Sequence, residues 1–420
     1  MGADVPRHAT SLTAPAGALS RFTGLVAGGR LLPYLRKGRD TTAMIQVNLF
    51  LAMPELGSSR RLRSLARRTA AYRLYNDLDF ELLPWRPHAA HGLERLRECL
   101  ADGRGAVVCS LHVGAYRRVF DELVRRGFDV TLIADRNVAA TLKRDTLARL
   151  AARGAGAERL ARVEAGLEVV DAEQPGAVRR AFEALDSNRL VLVYLDGNTG
   201  AAMPGGEDGG AAGDPAVEFF GRRVALPAGA CRIAWLKRVP IVPLFASWER
   251  RLRPSFRCLP PLRPAPGQSL AGFCDAALQE LVSLCEREVR RRPAQFEHWV
   301  YLHRWRWLPG EAASTDGLER ARREIGAAGG RVRYGLDPGR VLLVAMGGRQ
   351  VLVDGVRGRL VEAGRLLADV LVALRRRRAS YETLCSRLAG RHSGLQVLEA
   401  LARLKAMGCL VEAPDAGRAR

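Results

Sequence analysis

The chain has 420 residues, of which 48% are hydrophobic, and a formal net charge of +22. This length predicts two or three domains, and the hydrophobic content excludes a largely disordered chain. Every apolar run of about 18 residues is interrupted by charge, which argues against a membrane-spanning helix. The first residues also lack the pattern of a secretory signal.

Charge and cysteine usage restrict the partners and the compartment. Only four of the 66 basic residues are lysine, an arginine bias typical of a GC-rich genome, so part of the charge carries no functional information. The remaining excess favours anionic partners such as phospholipid headgroups, acidic carrier proteins, coenzyme A phosphates or nucleic acid. The eight cysteines include no C-x-x-C pair. This predicts neither a disulfide framework nor a zinc site, and it favours a reducing, cytosol-facing location.

Composition divides the chain into four parts. Residues 1–40 are rich in small residues and predict a loosely structured segment. Residues 41–308 alternate helical periodicity with short apolar runs, as an α/β domain does. Residues 309–330 form a polar linker with one short helix, and residues 331–420 form a distinct module.

Four short apolar runs in the second part predict strands that are buried on both faces of a mostly parallel central sheet flanked by helices. They are residues 106–111, 128–134, 190–196 and 241–248. Helix-period segments such as 116–126 and 175–185 lie between them. Ligands of such sheets bind at the carboxyl ends of the strands, and both His112 and Asp196 fall at such ends. This placement is the first functional indication.

The segment SLHVGAYRR puts His112 directly after a predicted strand. Histidine suits the role of a general base near neutral pH, because it can take up a proton there. A lone histidine at a strand end is more often a structural residue. The motifs around it therefore decide its interpretation.

Those motifs follow a characteristic order. They are NLFLAMPEL (48–56), ADRN (134–137), LDGNTG (195–200), VEFFGRRVALPAG (217–229) and EHWVYLHRWRW (297–307). From about residue 45 to 308 the series resembles the bacterial lipid A biosynthesis acyltransferases, within the wider glycerolipid and lysophospholipid acyltransferase superfamily. The resemblance rests on the whole ordered set rather than on one motif.

The resemblance implies a set of site residues. His112 would be the general base, and Arg136 would lie beside the phosphates of the donor or the acceptor. Further residues would line the site and shape the acyl and acceptor pocket: Asp196, Asn198, Phe219, Phe220, Gly221 and Arg222. The resemblance implies no cofactor, with acyl carrier protein or acyl-CoA as the co-substrate. No metal site is predicted, because His298 and His303 are five positions apart and do not share one helical face.

One departure from the family motif stands at the centre of this site. The motif is a histidine, four residues and then Asp or Glu, but here that position is Arg117. The missing carboxylate would fix the imidazole tautomer, whereas a cation would lower the pKa of His112. Three explanations are open: Asp121 replaces the carboxylate, Asp196 or Glu218 does so from across the site, or the domain has lost catalysis and only binds a lipid or acyl group.

Two other segments carry predictions. The arginine-rich segment 58–78 predicts an amphipathic helix that is either simply solvated or in peripheral contact with an anionic membrane. The glycine-rich segment 197–214 lacks the ending of a P-loop, which favours a flexible loop able to act as a lid over the site.

The terminal module predicts a small winged-helix-like α+β domain. Strands 340–346 and 350–354 flank a Gly-Gly turn, helices follow near 362–375, 380–389 and 394–406, and GCLVEA closes as a strand. This part resembles the winged-helix peptide-binding domains of the pyrroloquinoline-quinone-synthesis chaperone type. Nucleic acid is a less favoured partner, because the last predicted helix is apolar and has few basic side chains to read a groove.

Together these observations predict an acyltransferase in the cytoplasm, peripheral on the inner face of the cell membrane. It would move a fatty acyl group from acyl carrier protein or acyl-CoA to a hydroxyl or amine of a lipid-like acceptor, or of a peptide held by the terminal module. The alternative is a catalytically degenerate protein that uses the same fold to bind a lipid or peptide.

Overall fold

The computed structural model describes most of the chain between residues 31 and 414. The described ranges are 31–57, 60–82, 89–197, 214–302, 305–307, 315–346, 348–355 and 358–414. Asn198, most of the glycine-rich segment and the first residues of the predicted linker lie outside them.

The first part of the described chain alternates helices and strands. The helices are α1 (Leu31–Ala52), α2 (Arg60–Leu82), α3 (Glu94–Leu100), α4 (Val119–Arg125), α5 (Arg136–Ala152), α6 (Ala157–Gly166), α7 (Ala177–Asp186), α8 (Gly229–Lys237) and α9 (Leu270–Arg291). The strands are β1 (Ala89–His91), β2 (Ala106–Ser110), β3 (Val130–Ala134), β4 (Leu167–Asp171), β5 (Leu190–Tyr194), β6 (Ala216–Phe219), β7 (Arg222–Ala225), β8 (Ile241–Trp248), β9 (Pro254–Cys258) and β10 (Arg306–Trp307).

Seven of these strands form the central sheet, in the order β1-β9-β8-β2-β5-β3-β4. Strands β2, β3, β4, β5 and β8 are parallel to one another. Strand β9 is antiparallel to β8 and parallel to β1. The predicted α/β class with a mostly parallel sheet is therefore confirmed, and all four predicted strands are present. Strands β4 and β9 were not predicted, because Glu168 and Arg257 interrupt their apolar runs.

The sheet is buried on both faces, which is why its strands are apolar without alternation. Successive side chains of a strand point to opposite faces. Accordingly Val107 and Cys109 of β2 belong to one hydrophobic cluster, whereas Ala106 and Val108 belong to another. Side chains of α7, α8 and α9 join the first cluster, and side chains of α3, α4 and α6 join the second. The sheet thus holds its carboxyl edge between two rigid helical layers.

The helix predicted from the arginine-rich segment is α2. Its residues Leu62, Ala66 and Thr69 are buried, whereas Arg67 and Arg68 are exposed, so the helix is amphipathic as predicted. Among the described helices, none combines the length and the apolar character needed to cross a bilayer.

The last part of the chain contains four longer helices and two small sheets among its described residues. The helices are α10 (Thr315–Ala328), α11 (Arg365–Arg376), α12 (Tyr381–Leu388) and α13 (Gly394–Ala406), and the strands are β11 (Val332–Leu336), β12 (Val341–Met346), β13 (Arg349–Asp354), β14 (Arg359–Ala363), β15 (Ala379–Ser380) and β16 (Leu410–Pro414). The sheets have the orders β15-β11-β16 and β12-β13-β14. The predicted hairpin, helices and closing strand are present, whereas β11 and β14 were not predicted. The winged-helix assignment and the domain boundaries stay predictions.

Two hydrophobic contacts organise this last part. Ala321 and Ile325 of α10 pack in one cluster with Leu371 of α11 and Val397 of α13, so the helix within the predicted linker packs against the terminal module. The hairpin of β12 and β13 instead faces the first part of the chain, where Leu342, Val344 and Val353 share a cluster with Leu49 and Phe50 of α1. The described residues thus form one continuous packing arrangement across the predicted boundary.

Candidate active site

The register of two neighbouring strands places the candidate base beside a carboxylate. Strands β2 and β5 are parallel, and Ser110 at the end of β2 pairs with Tyr194 at the end of β5. His112 and Asp196 each follow two residues later. Because both chains leave the sheet at the same edge, the two side chains meet there, 84 positions apart in sequence.

His112 and Asp196 form a hydrogen-bonded pair. The Nδ1 atom of His112 lies 2.8 Å from Oδ1 of Asp196, and the backbone N–H of His112 donates to both carboxylate oxygens at 3.2 and 3.0 Å. Because an ionised carboxylate only accepts hydrogen bonds, Nδ1 carries the proton. The other ring nitrogen, Nε2, is then unprotonated in the neutral ring and can act as a base.

Charge balance at the pair favours protonation of the imidazole. Burial by itself lowers the pKa of His112, but the charge and hydrogen bond of Asp196 and the charge of Glu297 raise it above the usual value. Burial raises the pKa of Asp196, but the two nearby histidines, His298 and His112, lower it below its usual value. The carboxylate therefore stays ionised, and it stabilises the imidazolium that forms when His112 takes up a proton.

Arg117, at the position of the family carboxylate, lies beside two acidic side chains. Its Nη2 lies 2.7 Å from Oδ1 of Asp77 and 4.0 Å from Oε1 of Glu297, and its Nε donates to the hydroxyl of Tyr116 at 2.9 Å. Arg117 lowers the pKa of His112 only as the smallest of the contributions. The positive charge is thus balanced by acidic neighbours, and it does not cancel the effect of the carboxylate at the base.

Two of the replacement carboxylates that the sequence suggested do not take that role. Asp121 is buried on α4, and its Oδ1 lies 3.7 Å from Nη2 of Arg159, so its carboxylate faces α6. Glu218 on β6 is exposed, and its backbone N–H bonds to the side chain of Gln279. Asp121 as partner of the base is therefore wrong, because Asp196 already occupies the hydrogen-bonding position at His112 Nδ1.

Aromatic rings enclose the imidazole. The ring of His298 stacks on that of His112, with 4.5 Å between centroids and 15° between planes. Tyr194 and Tyr116 lie with centroids at 4.7 and 4.6 Å from the His112 ring, and the Tyr194 hydroxyl donates to the backbone carbonyl of Tyr116 at 2.8 Å. Burial lowers the pKa of His298 to about 4, so this ring is neutral near pH 7. These contacts fix the plane of the base.

The closing segment brings His298 and Glu297 into the site. The backbone N–H of Glu297 donates to the carbonyl of His112 at 2.9 Å, and Phe296 forms a bridge with Val113. This segment was predicted as a family motif, but Glu297 received no predicted role in the site and His298 was disfavoured as a metal ligand. A contact between residues so distant in sequence leaves no periodic signal.

A cavity of about 290 Å³ opens beside the pair. The polar residues of its lining include His112, Tyr116, Arg117 and His298. The rest of its lining is largely apolar and comprises, among others, Phe80, Phe120, Leu132, Ile133, Val138 and Leu142. The cavity therefore joins a base to an apolar surface.

Arg136 lies next to this cavity rather than in its lining. It is the first residue of α5, whose N-cap Asp135 does line the cavity. The Arg136 side chain is 67% exposed, and its nitrogens lie 3.5 Å from Asp171 and 3.2 Å from Glu173. It borders a second cavity of about 340 Å³ together with other arginines. Its predicted contact with substrate phosphates stays a prediction.

The two phenylalanines of the Phe-Phe-Gly-Arg block lie in the core, whereas Gly221 is exposed and Arg222 is half-buried. Phe219 stacks on Trp305 at 5.3 Å, and Phe220 lies 5.6 Å from Trp299; both phenylalanines are buried. Gly221 takes a positive φ of 68° in the β6–β7 turn, and burial lowers the pKa of Arg222. Among the described residues, none of the four lines the cavity beside His112. Their predicted role in shaping the acyl and acceptor pocket stays a prediction.

More than half of the chain, including this site, matches a known protein family. The family model for "Bacterial lipid A biosynthesis acyltransferase" matches residues 63–308, more than half of the chain. No match was found among curated proteins. The matched range contains the central sheet, the His112–Asp196 pair and the closing segment.

Proposed function

Because the chain belongs to the bacterial lipid A biosynthesis acyltransferase family, we propose that it is an active enzyme. It transfers a fatty acyl group from a thioester donor, acyl carrier protein or acyl-CoA, to a hydroxyl or amine. The observation that carries this proposal is the hydrogen bond between His112 and Asp196. It supplies the base with a carboxylate, which this chain lacks at the motif position because that position is Arg117.

The chemical step needs one base and one leaving group. Nε2 of His112 takes the proton of the acceptor hydroxyl or amine while the acceptor atom attacks the thioester carbonyl. Asp196 holds the proton on Nδ1 and stabilises the imidazolium. The tetrahedral intermediate then collapses, the C–S bond breaks, and the thiolate takes the proton from the imidazolium. The products are the acylated acceptor and the free thiol of the donor, and His112 returns to its neutral form.

The apolar cavity supports a fatty acyl group as the transferred unit. Phe80, Leu132, Val138 and Leu142 line it next to the base. Each methylene moved from water onto such a surface contributes about 0.8 kcal/mol. An acyl chain seated there would place its thioester carbonyl beside His112, which is the arrangement that direct transfer requires.

The exposed basic face of α2 supports an acceptor at a membrane surface. Arg67 and Arg68 are exposed on a helix whose opposite face is buried, and a basic residue near an anionic surface contributes about 1 kcal/mol of attraction. The acceptor proposed here is lipid-like, and the location is the inner face of the cell membrane. Binding to vesicles with and without anionic lipid tests this part of the proposal.

A peptide acceptor is the second candidate. Strand β14 is an outer strand of the β12-β13-β14 sheet, and an extended peptide can add to such an edge through backbone hydrogen bonds. The terminal module would then hold a peptide amine near the acyltransferase part. Nucleic acid remains disfavoured as a partner, because the last helix is apolar and has few basic side chains to read a groove.

Mass spectrometry of acyl transfer tests the proposal. Wild type and the variants His112→Ala, Asp196→Asn and Asp121→Asn are incubated with labelled acyl-CoA or acyl carrier protein and a mixture of lipid and peptide acceptors. We expect labelled product with wild type and Asp121→Asn, and loss of product with the other two. Background turnover in wild type and His112→Ala alike would instead support the degenerate, binding-only protein.

A further inference from the structure

Three side chains with metal-ligating atoms converge beneath the cavity. His112 follows β2, Asp196 follows β5, and His298 lies in the closing segment. One ligand atom from each lies within 4.8 Å of the others. Two imidazoles and a carboxylate are a donor set that suits zinc and similar transition metals.

His298 contributes an observation that the acid–base pair does not explain. Its side chain is buried, with 4% of the residue exposed, and its Nδ1 atom has no hydrogen-bond partner among the described residues. This nitrogen lies 3.8 Å from Oδ2 of Asp196, which is too far for a hydrogen bond. Buried polar atoms without a partner are rare. Here the nitrogen is directed at the one carboxylate that also serves His112.

The spacing of the three groups fits an ion between them. Ligand atoms that each lie about 2.0–2.1 Å from a tetrahedral zinc ion are about 3.3–3.4 Å apart. The observed separations fall on either side of that value: 2.8 Å from His112 Nδ1 to Asp196 Oδ1 and 3.8 Å from His298 Nδ1 to Asp196 Oδ2. The ligand atoms of the three residues all lie within 4.8 Å of one another. Because the two imidazole rings are nearly parallel, one ring has to turn for both nitrogens to point at the same ion. His112 and His298 both line the cavity, so the cavity offers an entrance and a fourth coordination position for water.

We propose that His112, Asp196 and His298 bind one divalent transition-metal ion, of which Zn²⁺ fits best, and that the bound ion stops acyl transfer. The ion binds the Nδ1 lone pair of His112, and the ring proton moves from Nδ1 to Nε2. Nε2 of the neutral, metal-bound imidazole then carries a proton and has no lone pair to take the proton of the acceptor. The inhibition rests on the proposed function, whereas the binding does not.

Metal titration of the full-length protein tests the binding. After treatment with EDTA and removal of the chelator, Co²⁺ is added, and the visible absorption of tetrahedral cobalt is followed, with Zn²⁺ as competitor. We expect one Co²⁺ per chain, displaced by Zn²⁺. His298→Phe keeps a stacked ring but removes the nitrogen, and Asp196→Asn removes the charge. Each should weaken binding by about 100-fold or more, beyond the loss usual for an outer-shell partner.

His392→Gln is the matched control. His392 also pairs with a carboxylate, since its Nε2 lies 2.9 Å from Oδ2 of Asp369, but it lies in the terminal module. This variant should bind cobalt as wild type does. Circular dichroism establishes that each variant is folded. Absence of a cobalt spectrum in wild type, or unchanged affinity in both site variants, overturns the proposal.

Activity measurements separate this inference from the proposed function. The Zn²⁺ concentration that halves acyl transfer should match the binding constant, and His298→Phe should raise it by the same factor as it weakens binding. A protein that binds cobalt at this site but never transfers acyl groups overturns the proposed function and leaves the metal site intact. An active enzyme that binds no cobalt overturns the metal site alone.

Discussion

Asp196→Asn is the substitution that examines the site most directly. In wild type, one carboxylate accepts from Nδ1 of His112 and from the backbone N–H of the same residue. An asparagine has only one accepting oxygen. If this oxygen serves the backbone, the amide nitrogen faces Nδ1 and forces the proton onto Nε2, which removes the base. If the oxygen serves Nδ1, two N–H groups oppose each other.

The expected loss of rate follows from the lost hydrogen bond and from the inverted tautomer. A hydrogen bond to a charged group contributes about 1.5–3 kcal/mol, which corresponds to about 10- to 150-fold in rate. Inversion of the tautomer costs about 10⁴-fold in a serine-protease triad. We therefore expect kcat to fall by about 10²- to 10⁴-fold with a small change in KM. A discontinuous assay of acyl product under donor saturation, with Asp121→Asn as control, measures both constants.

The pH profile supplies a second readout. Although burial lowers the pKa of His112, Asp196 and Glu297 raise it above the usual value, and the base acts in its neutral form. The wild-type rate should therefore rise with pH through a pKa above about 6.5, and removal of the Asp196 charge should move this rise to lower pH. By linkage, the stability that His112 contributes is full below about pH 6.5 and is lost as pH rises through the folded-state pKa.

Two results would refute this reasoning. One is an Asp196→Asn enzyme that keeps a third or more of the wild-type rate with an unshifted pH profile. The other is an Asp121→Asn enzyme that loses as much activity as Asp196→Asn while it remains folded. Either result would mean that the hydrogen bond at Nδ1 does not control the base.

Three further predictions concern side chains near the base or in the core. Arg117→Glu restores the residue type of the family motif but places a third negative charge beside Asp77 and Glu297. This variant should lower the free energy of unfolding by about 2 kcal/mol, given partial exposure, and should not raise activity; a faster enzyme would contradict this. Val138→Trp reduces the apolar cavity, and competition between labelled donors should show a preference for shorter acyl chains, whereas an unchanged profile would place the chain elsewhere. Phe50→Ala empties a fully buried position and should lower the free energy of unfolding by about 3–5 kcal/mol in denaturant titrations; a loss below about 1 kcal/mol would contradict the packing described here.

The sequence predicted the central part of the site because that part depends on strand ends. Apolar runs identified β2 and β5 without ambiguity, and polar residues that follow buried parallel strands meet at one edge. The pairing of His112 with Asp196 follows from the register of these two strands. Periodicity does not encode sheet order, however, so the sequence left Asp196 as only one of several candidate carboxylates.

The errors arise where the backbone is irregular or where packing decides. A 3-10 turn at Tyr116–Arg118 precedes α4, and its tighter winding changes the phase of the helix, which turns Asp121 toward α6. Two short 3-10 turns after α9 bring His298 into the site, and such an irregular connection has no periodic pattern in the sequence. Phe219 was predicted to help shape the pocket from its motif alone, and no pattern in the sequence indicated that its ring stacks on Trp305.

The packing of the β12–β13 hairpin on α1 has a consequence for how this chain can be divided. Leu49 and Phe50 lie under Leu342 and Val344, and a Cβ added at Gly355 would come within 2.8 Å of the Phe50 ring. Cleavage in the predicted linker would therefore not release two independent domains, because each fragment would expose hydrophobic surface from the shared core. The two parts should unfold in a single cooperative transition, and each should require the other for solubility during synthesis.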